Sequence, residues 1–418
     1  MKSLLCSALA VAVLFSTAAI AQDKTTIRFA NVFDGPGAEQ FEPVLQDFMA
    51  THPDIVVKSE STAGSGAAVY PDVLRTSMAS GDPPDVFFLW GGSISKPFIS
   101  AGMVEPLDAV FAAKGWTDRF PKWTVDRLKQ DGKQYGVPFH GQGMGFFYRK
   151  DLFQAAGITA APTTYADLEA DCAKLKANNV YCASTGGKFG WHVMRLVDYF
   201  IETSCGPDVH DQLNALKASW NQDCVVAAYQ KLRDWIDKGW LVPNFLNVAP
   251  DDSRIPVYQG NAAMVMEGPW FEPALQQNEQ DSSAYGFFVP PTDHEPSRYS
   301  AFPEQFMIAS GSKHKEAAAT FIDFITSLAV QQKYPNAFQA SATVGLKPDC
   351  TTIPLNCQIA DIVQSDRPAY PPTDQAFEKE LMDSFFEVQD GIVAGKLTPA
   401  DGAKLFQDRA DAWTAKHP

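Results

Sequence analysis

Three tryptophans, Trp90, Trp191 and Trp270, stand within two residues of a glycine at the ends of expected secondary-structure elements, where an indole can face a cleft. Six polar residues, Asp34, Gln40, His140, Gln142, His192 and Glu304, fall at expected edges of the same kind. Flat aromatic plates with a few fixed donors and acceptors suit the noncovalent capture of a small solute. Arg195 has two readings: a bidentate clamp on an anionic group of that solute, or a partner for Asp198 on its own helix.

Chemistry of other kinds lacks its motifs. Gly64-Ser65-Gly66 does not have the spacing of a nucleophile elbow, and no phosphate-cradling G-x-x-x-x-G-K-[ST] occurs. The run Gly141-x-Gly143-x-Gly145 lacks the last spacing of a dinucleotide loop and reads as a connection between strands. Neighbouring carboxylates such as Asp251 and Asp252 are too common among 49 acidic residues to specify a hydrolase. With no C-x-x-C and no pair of histidines four apart, no metal is expected, and no catalytic residue or cofactor either.

The elements that must position these side chains alternate in type. Thr26 to Val32, Ile55 to Glu60 and Pro84 to Trp90 read as strands, with helices at about 38–50 and 67–80 between them. That order predicts a parallel sheet with crossover helices, binding at the carboxyl ends of its strands. Those ends are Asn31 to Asp34, Ser61 to Gly66 and Trp90 to Ser93. From Asp131 to Leu152 the chain crosses between two bodies: Val137 to Phe139 is a short strand broken by Pro138, and Gly143 to Tyr148 resumes the pattern. Glycines flanking His140 and Gln142 can absorb dihedral change, as a hinge requires. Beyond it the pattern predicts a helix over Tyr165 to Asn178 capped by Thr163 or Thr164, strands at Tyr181 to Ser184, Ala262 to Glu267 and Tyr285 to Val289, and helices at Trp191 to Glu202 and Val225 to Lys238. A strand at Phe306 to Ala309, a helix at Lys315 to Ser327 and a mostly helical C-terminal third follow.

Lys2, the apolar run Leu4 to Thr17 and Ala19-Ile20-Ala21 have the form of a secretory signal, residues 1–21, cleaved before Gln22. Cys6 leaves with it, so six cysteines remain: 172, 182, 205, 224, 350 and 357. An even number in an oxidising compartment predicts disulfides, and sequence neighbours make the natural pairs, although six cysteines allow 15 connectivities. Removing Lys2 leaves 33 basic residues against 49 acidic ones, an excess that argues against nucleic acid or an anionic membrane as partner. Nearly 400 mature residues exceed one ordinary core, which predicts two domains.

Eight stretches, in order, carry a resemblance. They are FMATHPDIVV (48–57), SGDPPDV (80–86), AGMVEPLD (101–108), DGKQYGVPF (131–139), FFYRKDLFQAAGI (146–158), PTTYADLEADCAKLKA (162–177), YQGNAAMVMEGPW (258–270) and KEAAATFIDFITS (315–327). Through them the chain resembles the type 1 extracellular solute-binding proteins, the maltose-binding-protein-like receptors of sugar ABC importers. The resemblance implies an α/β, two-lobed periplasmic-binding-protein fold of the maltose-binding type, with a hinge and an interlobe cleft. It assigns residues 22–138 and 299–345 to the N-terminal lobe and 139–298 and 346–418 to the C-terminal lobe. It also implies a carbohydrate ligand, the permease subunits of an importer as partners, a periplasmic location and a monomer. Trp270 matches an aromatic that stacks on sugar. Trp90 to Ser93, including Gly91 and Ser93, matches a first-lobe ligand loop, but Gly91 and Gly92 replace its charged residues, which speaks against a maltodextrin. His140 to Gly143 and Phe302 to Glu304 match crossing segments by position. The rival readings are a secreted glycoside-acting enzyme and an adhesive module for polysaccharide or protein.

Overall fold

The computed structural model describes residues 24–33, 35–62, 69–295, 297–365 and 367–417. The expected signal segment and Asp34 lie outside the described residues. The strands are β1 (Thr25–Asn31), β2 (Ile55–Ser61), β3 (Val86–Trp90), a small ribbon of β4 (Lys129–Gln130) and β5 (Lys133–Gln134), β6 (Gly136–Gly143), β7 (Gly145–Arg149), β8 (Tyr181–Ser184), β9 (Ala262–Glu267), β10 (Tyr285–Phe288), β11 (Tyr299–Ile308) and β12 (Ala369–Tyr370).

The first sheet runs β12-β11-β3-β1-β2, with β6 also on β11. β1 is parallel to β2 and β3, as the strand–helix alternation predicts, and the helices Gly35–Thr51 and Tyr70–Ala79 make the crossovers. Its core is aromatic: Phe29 meets Phe306 and Phe321 edge-on, with ring centroids 5.5 and 5.3 Å apart. The second sheet runs β10-β7-β9-β8. Successive β7 side chains point to opposite faces, so Phe146 enters one apolar cluster and Phe147 another, both fully buried. The sheet is therefore covered on both sides.

Two expectations are corrected at the crossing. Pro138 does not break a strand: β6 is continuous from Gly136 to Gly143 and pairs antiparallel with β11. With β11 its one strand neighbour in the sheet, β6 tolerates a residue lacking an N–H. The short strand expected at Phe306 to Ala309 is the end of β11, whose ten residues are all buried. Tyr299 and Ala301 pack with the second sheet's residues, while Phe306, Met307 and Ile308 pack in the first lobe. The border at 138/139 thus falls inside β6, and the chain passes from one sheet to the other between Gly143 and Gly145.

Local signals fix the remaining elements. Thr164 caps the helix Tyr165–Ala177: its Oγ1 accepts from the Asp167 N–H at 3.0 Å, and Asp167 Oδ2 accepts from the Thr164 N–H at 3.1 Å. The three neighbour disulfides are formed. Cys172–Cys182 joins that helix to β8, Cys205–Cys224 joins the ends of two helices, and Cys350–Cys357 pins the loop before the helix Pro354–Val363. Among the described residues no helix is long and apolar enough to cross a membrane.

Candidate functional site

The paired crossing strands bring three of the expected polar residues together. His140 and Gln142 lie two apart on β6 and so project to one face. Glu304 on β11 meets both: its Oε2 accepts from Gln142 Nε2 at 2.8 Å and lies 2.7 Å from His140 Nδ1. The β11–β3 register sets Glu304 opposite Trp90, so the first-lobe indole borders this network. His140 Nε2 and Gln142 Oε1 are buried without a partner among the described residues. Leaving such atoms unpaired costs about 1–3 kcal/mol each, which a hydroxylated guest can recover.

The second lobe and β11 together form an aromatic box. The helix Trp191–Cys205 starts after Gly190, at φ +75°, and carries Trp191 and Arg195 one turn apart. The rings of Trp191 and Trp270 are 6.2 Å apart at 80°, and Trp270 and Phe302 are 6.3 Å apart at 44°. The Arg195 guanidinium lies over Trp191 at 5.9 Å and over Phe302 at 5.2 Å. Trp270 is held from beneath: its indole N–H donates to Glu267, a fully buried carboxylate that also accepts from Arg254 Nε at 2.7 Å. Gly268 lies against the indole so closely that a methyl group there would overlap the six-membered ring.

Arg195 does not pair along its helix. Its Nη2 donates to Asp374 Oδ2 at 3.1 Å, whereas Asp198 accepts from the Thr373 N–H at 2.9 Å and from the Thr373 hydroxyl. Burial pushes the Asp198 carboxyl up to about 6. Burial likewise raises the Asp374 carboxyl, against the opposing pull of Arg195. His192 is a correction. It is fully buried, its Nδ1 accepting the Gly186 N–H at 3.2 Å and its Nε2 donating to the Met266 carbonyl at 2.9 Å. Burial lowers its pKa, so it is a neutral brace between helix and β9, with no ring nitrogen left for a ligand.

The first-lobe loop meets the segment that carries Asp374. Trp90 is half-buried, edge-on to Phe88 at 5.3 Å and to Tyr70 at 6.4 Å. The Gly91 N–H donates to the Pro303 carbonyl at 3.0 Å. Gly92, at φ +67°, sits where any Cβ would strike the Gln375 carbonyl. Ser93 Oγ donates to the Asp374 carbonyl at 3.0 Å, and Lys96 pairs with Glu378 at 2.9 Å. Beside this contact lies a cavity of about 390 Å³, lined from both sides by Ser93, Lys96, Arg127, Gln375, Phe377 and Trp413. Gln40 is half-buried on the helix Gly35–Thr51, and none of the side-chain hydrogen bonds described above reaches it.

The sequence reading missed Asp374, the Glu267–Arg254 brace and the role of Phe302 as a wall. Asp374 lies in the polar segment Pro371-Pro372-Thr373-Asp374-Gln375, which reads as a loop; nothing local ties it to Arg195. Among the described residues no group of three His, Cys, Asp or Glu side chains is placed to hold a metal ion.

Known proteins share this fold. A solved chitin oligosaccharide binding protein superposes with a TM-score of 0.82 at 24% identity, over 93% of this chain and 99% of that one. The protein RafE in complex with raffinose gives 0.74 at 21% identity, over 92% and 98%. In sequence, an uncharacterised ABC transporter extracellular-binding protein of Pyrococcus horikoshii is 23% identical over 372 residues, 87% of this chain and 78% of the relative. A multiple sugar-binding protein of Streptococcus mutans is 24% identical over 325 residues, 75% and 74% of the two chains. The profile described as bacterial extracellular solute-binding protein matches residues 34–332. That match spans more than half of the chain, which therefore belongs to the bacterial extracellular solute-binding protein family.

Proposed function

We propose that the chain is an exported, periplasmic receptor that takes a carbohydrate between its lobes, closes on it and presents it, chemically unchanged, to the permease of an ABC importer. The observation that carries this reading is the combination of angled aromatic walls, Trp191, Trp270 and Phe302, with the buried donors and acceptors of His140, Gln142 and Arg195. A sugar ring offers the matching apolar C–H faces and hydroxyl rim. The relatives named for sugars support the ligand class, and those named as ABC transporter binding proteins support the partner. The receptor acts as a monomer. The closed form is selected because the ligand touches both lobes at once, so its differential affinity sets how far the equilibrium moves.

A thermal-shift panel of mono- and oligosaccharides, with the sugar afterwards recovered and chromatographed, tests the reading. A cognate sugar at a hundred times its dissociation constant stabilises the fold by about 2.7 kcal/mol and returns intact. Conversion of the sugar, or the absence of a shift with every carbohydrate, refutes it.

A further inference from the structure

Arg195 is only 4% exposed, yet its Nε and Nη1 have no partner among the described residues. Its one ionic contact among the described residues, Asp374, is in the same condition: Oδ2 accepts from Nη2, while Oδ1 is buried with no partner among those residues. The two side chains therefore hold free donors and a free acceptor side by side. Trp191 and Phe302 lie against the guanidinium, Trp270 completes the wall, and the first-lobe loop reaches the backbone of Asp374, whose carbonyl accepts from the Ser93 hydroxyl.

Two positive charges here have partners: Arg195 is paired with Asp374, and Arg254 with Glu267, the carboxylate that holds the Trp270 indole. Glu304 adds a carboxylate two residues from Phe302 on β11. A carboxylate or phosphate on the ligand would gain Arg195 donors but would be pressed against the lone pairs of Asp374 Oδ1. A neutral pair of adjacent hydroxyls meets no such penalty: one oxygen accepts from Arg195 and its neighbour donates to Asp374.

Resting on the carbohydrate-receptor reading, we infer that the ligand is a neutral sugar, that a vicinal diol of it is read by the Arg195–Asp374 pair, and that Asp374 is the residue that rejects acidic sugars. A site built to hydrogen-bond a neutral group discriminates strongly against an analogue that leaves its buried partners mismatched.

The test is calorimetric titration of the mature full-length chain with matched pairs: galactose and galacturonate, glucose and glucuronate, and raffinose as a neutral oligosaccharide. The expected result is binding of a neutral member, with its uronate at least about 100-fold weaker. Asp374→Asn, checked for folding by its ligand-free melting temperature, weakens the neutral sugar about 10- to 100-fold and narrows the gap to the uronate. Equal or tighter binding of a uronate by the wild-type chain overturns this inference while leaving the receptor reading in place. Failure of every carbohydrate to bind overturns both. The wild-type comparison decides the matter even if the variant does not fold.

Discussion

At the scale of single residues, the site depends on positions that never touch a ligand. Trp270 is aimed by an indole hydrogen bond to Glu267, which Arg254 holds in turn, and its ring rests on the bare backbone of Gly268. Gly268→Ala is therefore expected to tilt the indole and weaken sugar binding about tenfold or more, with a melting temperature close to that of the parent; calorimetry beside a thermal melt checks both parts. Truncating the plate itself, Trp270→Ala, removes roughly 1.5–3 kcal/mol of apolar contact, about a 10- to 150-fold rise in dissociation constant. Because the ring is only half-buried, its loss should cost little stability. That Trp191 and Trp270 stand at element ends was readable from sequence, because the neighbouring glycines punctuate the chain there. His192 was not: it neighbours Trp191, but one step along a helix turns a side chain by about 100 degrees, and that rotation takes it inward.

At the scale of elements, an ion pair ties the helix Trp191–Cys205 to Arg298, the residue that leads into β11. Glu202 is fully buried; it accepts from Arg298 at 2.8 and 2.7 Å and lies 2.7 Å from His210 Nδ1. Desolvation opposes its charge, but hydrogen bonds from Arg298 and His210 outweigh that and hold the carboxyl down to about 2. A carboxyl depressed in the native state adds stability above its unfolded pKa, and that stability is lost as pH falls through the native value; here it is on the order of 3 kcal/mol, lost between about pH 4.5 and 2. Glu202→Gln should flatten that limb of a urea-denaturation series, whatever its level at neutral pH. The Cys205–Cys224 bridge, closing 19 residues, should contribute about 3 kcal/mol, measurable as a lower melting midpoint after replacement of both cysteines by serine. Elements of short range were legible: the Thr164 cap, the three neighbour disulfides, and the bounds of β8 and β9 follow from residues within a few positions of each other. The course of β6 and β11 was not, because a proline in one and a proline-interrupted run in the other look like breaks until the antiparallel partner is known.

At the scale of the whole molecule, closure rests on a narrow seam. The loop after Trp90 meets Thr373–Glu378 through Gly92 against Gln375, Ser93 on the Asp374 carbonyl, and the Lys96–Glu378 pair. Gly92→Ala places a methyl on the Gln375 carbonyl at a left-handed φ that already costs about 1–2 kcal/mol for an L-residue. The variant should remain open at ligand levels that close the parent, visible as a larger radius of gyration in small-angle scattering and at least about a tenfold weaker affinity. Lys96→Ala is the control: its side chain is 50% exposed, so the bridge is worth about 0–1 kcal/mol and the loss of affinity should stay below about fivefold. β11 has a different consequence, for the order in which the molecule comes into being. A polypeptide synthesised from its amino end has produced β1, β2 and β3 long before the strand that borders β3, and that same late strand seats Tyr299 and Ala301 among the residues of the other half. Neither half can finish alone; both must wait for Ile308, so the nascent chain stays incomplete until most of its length exists.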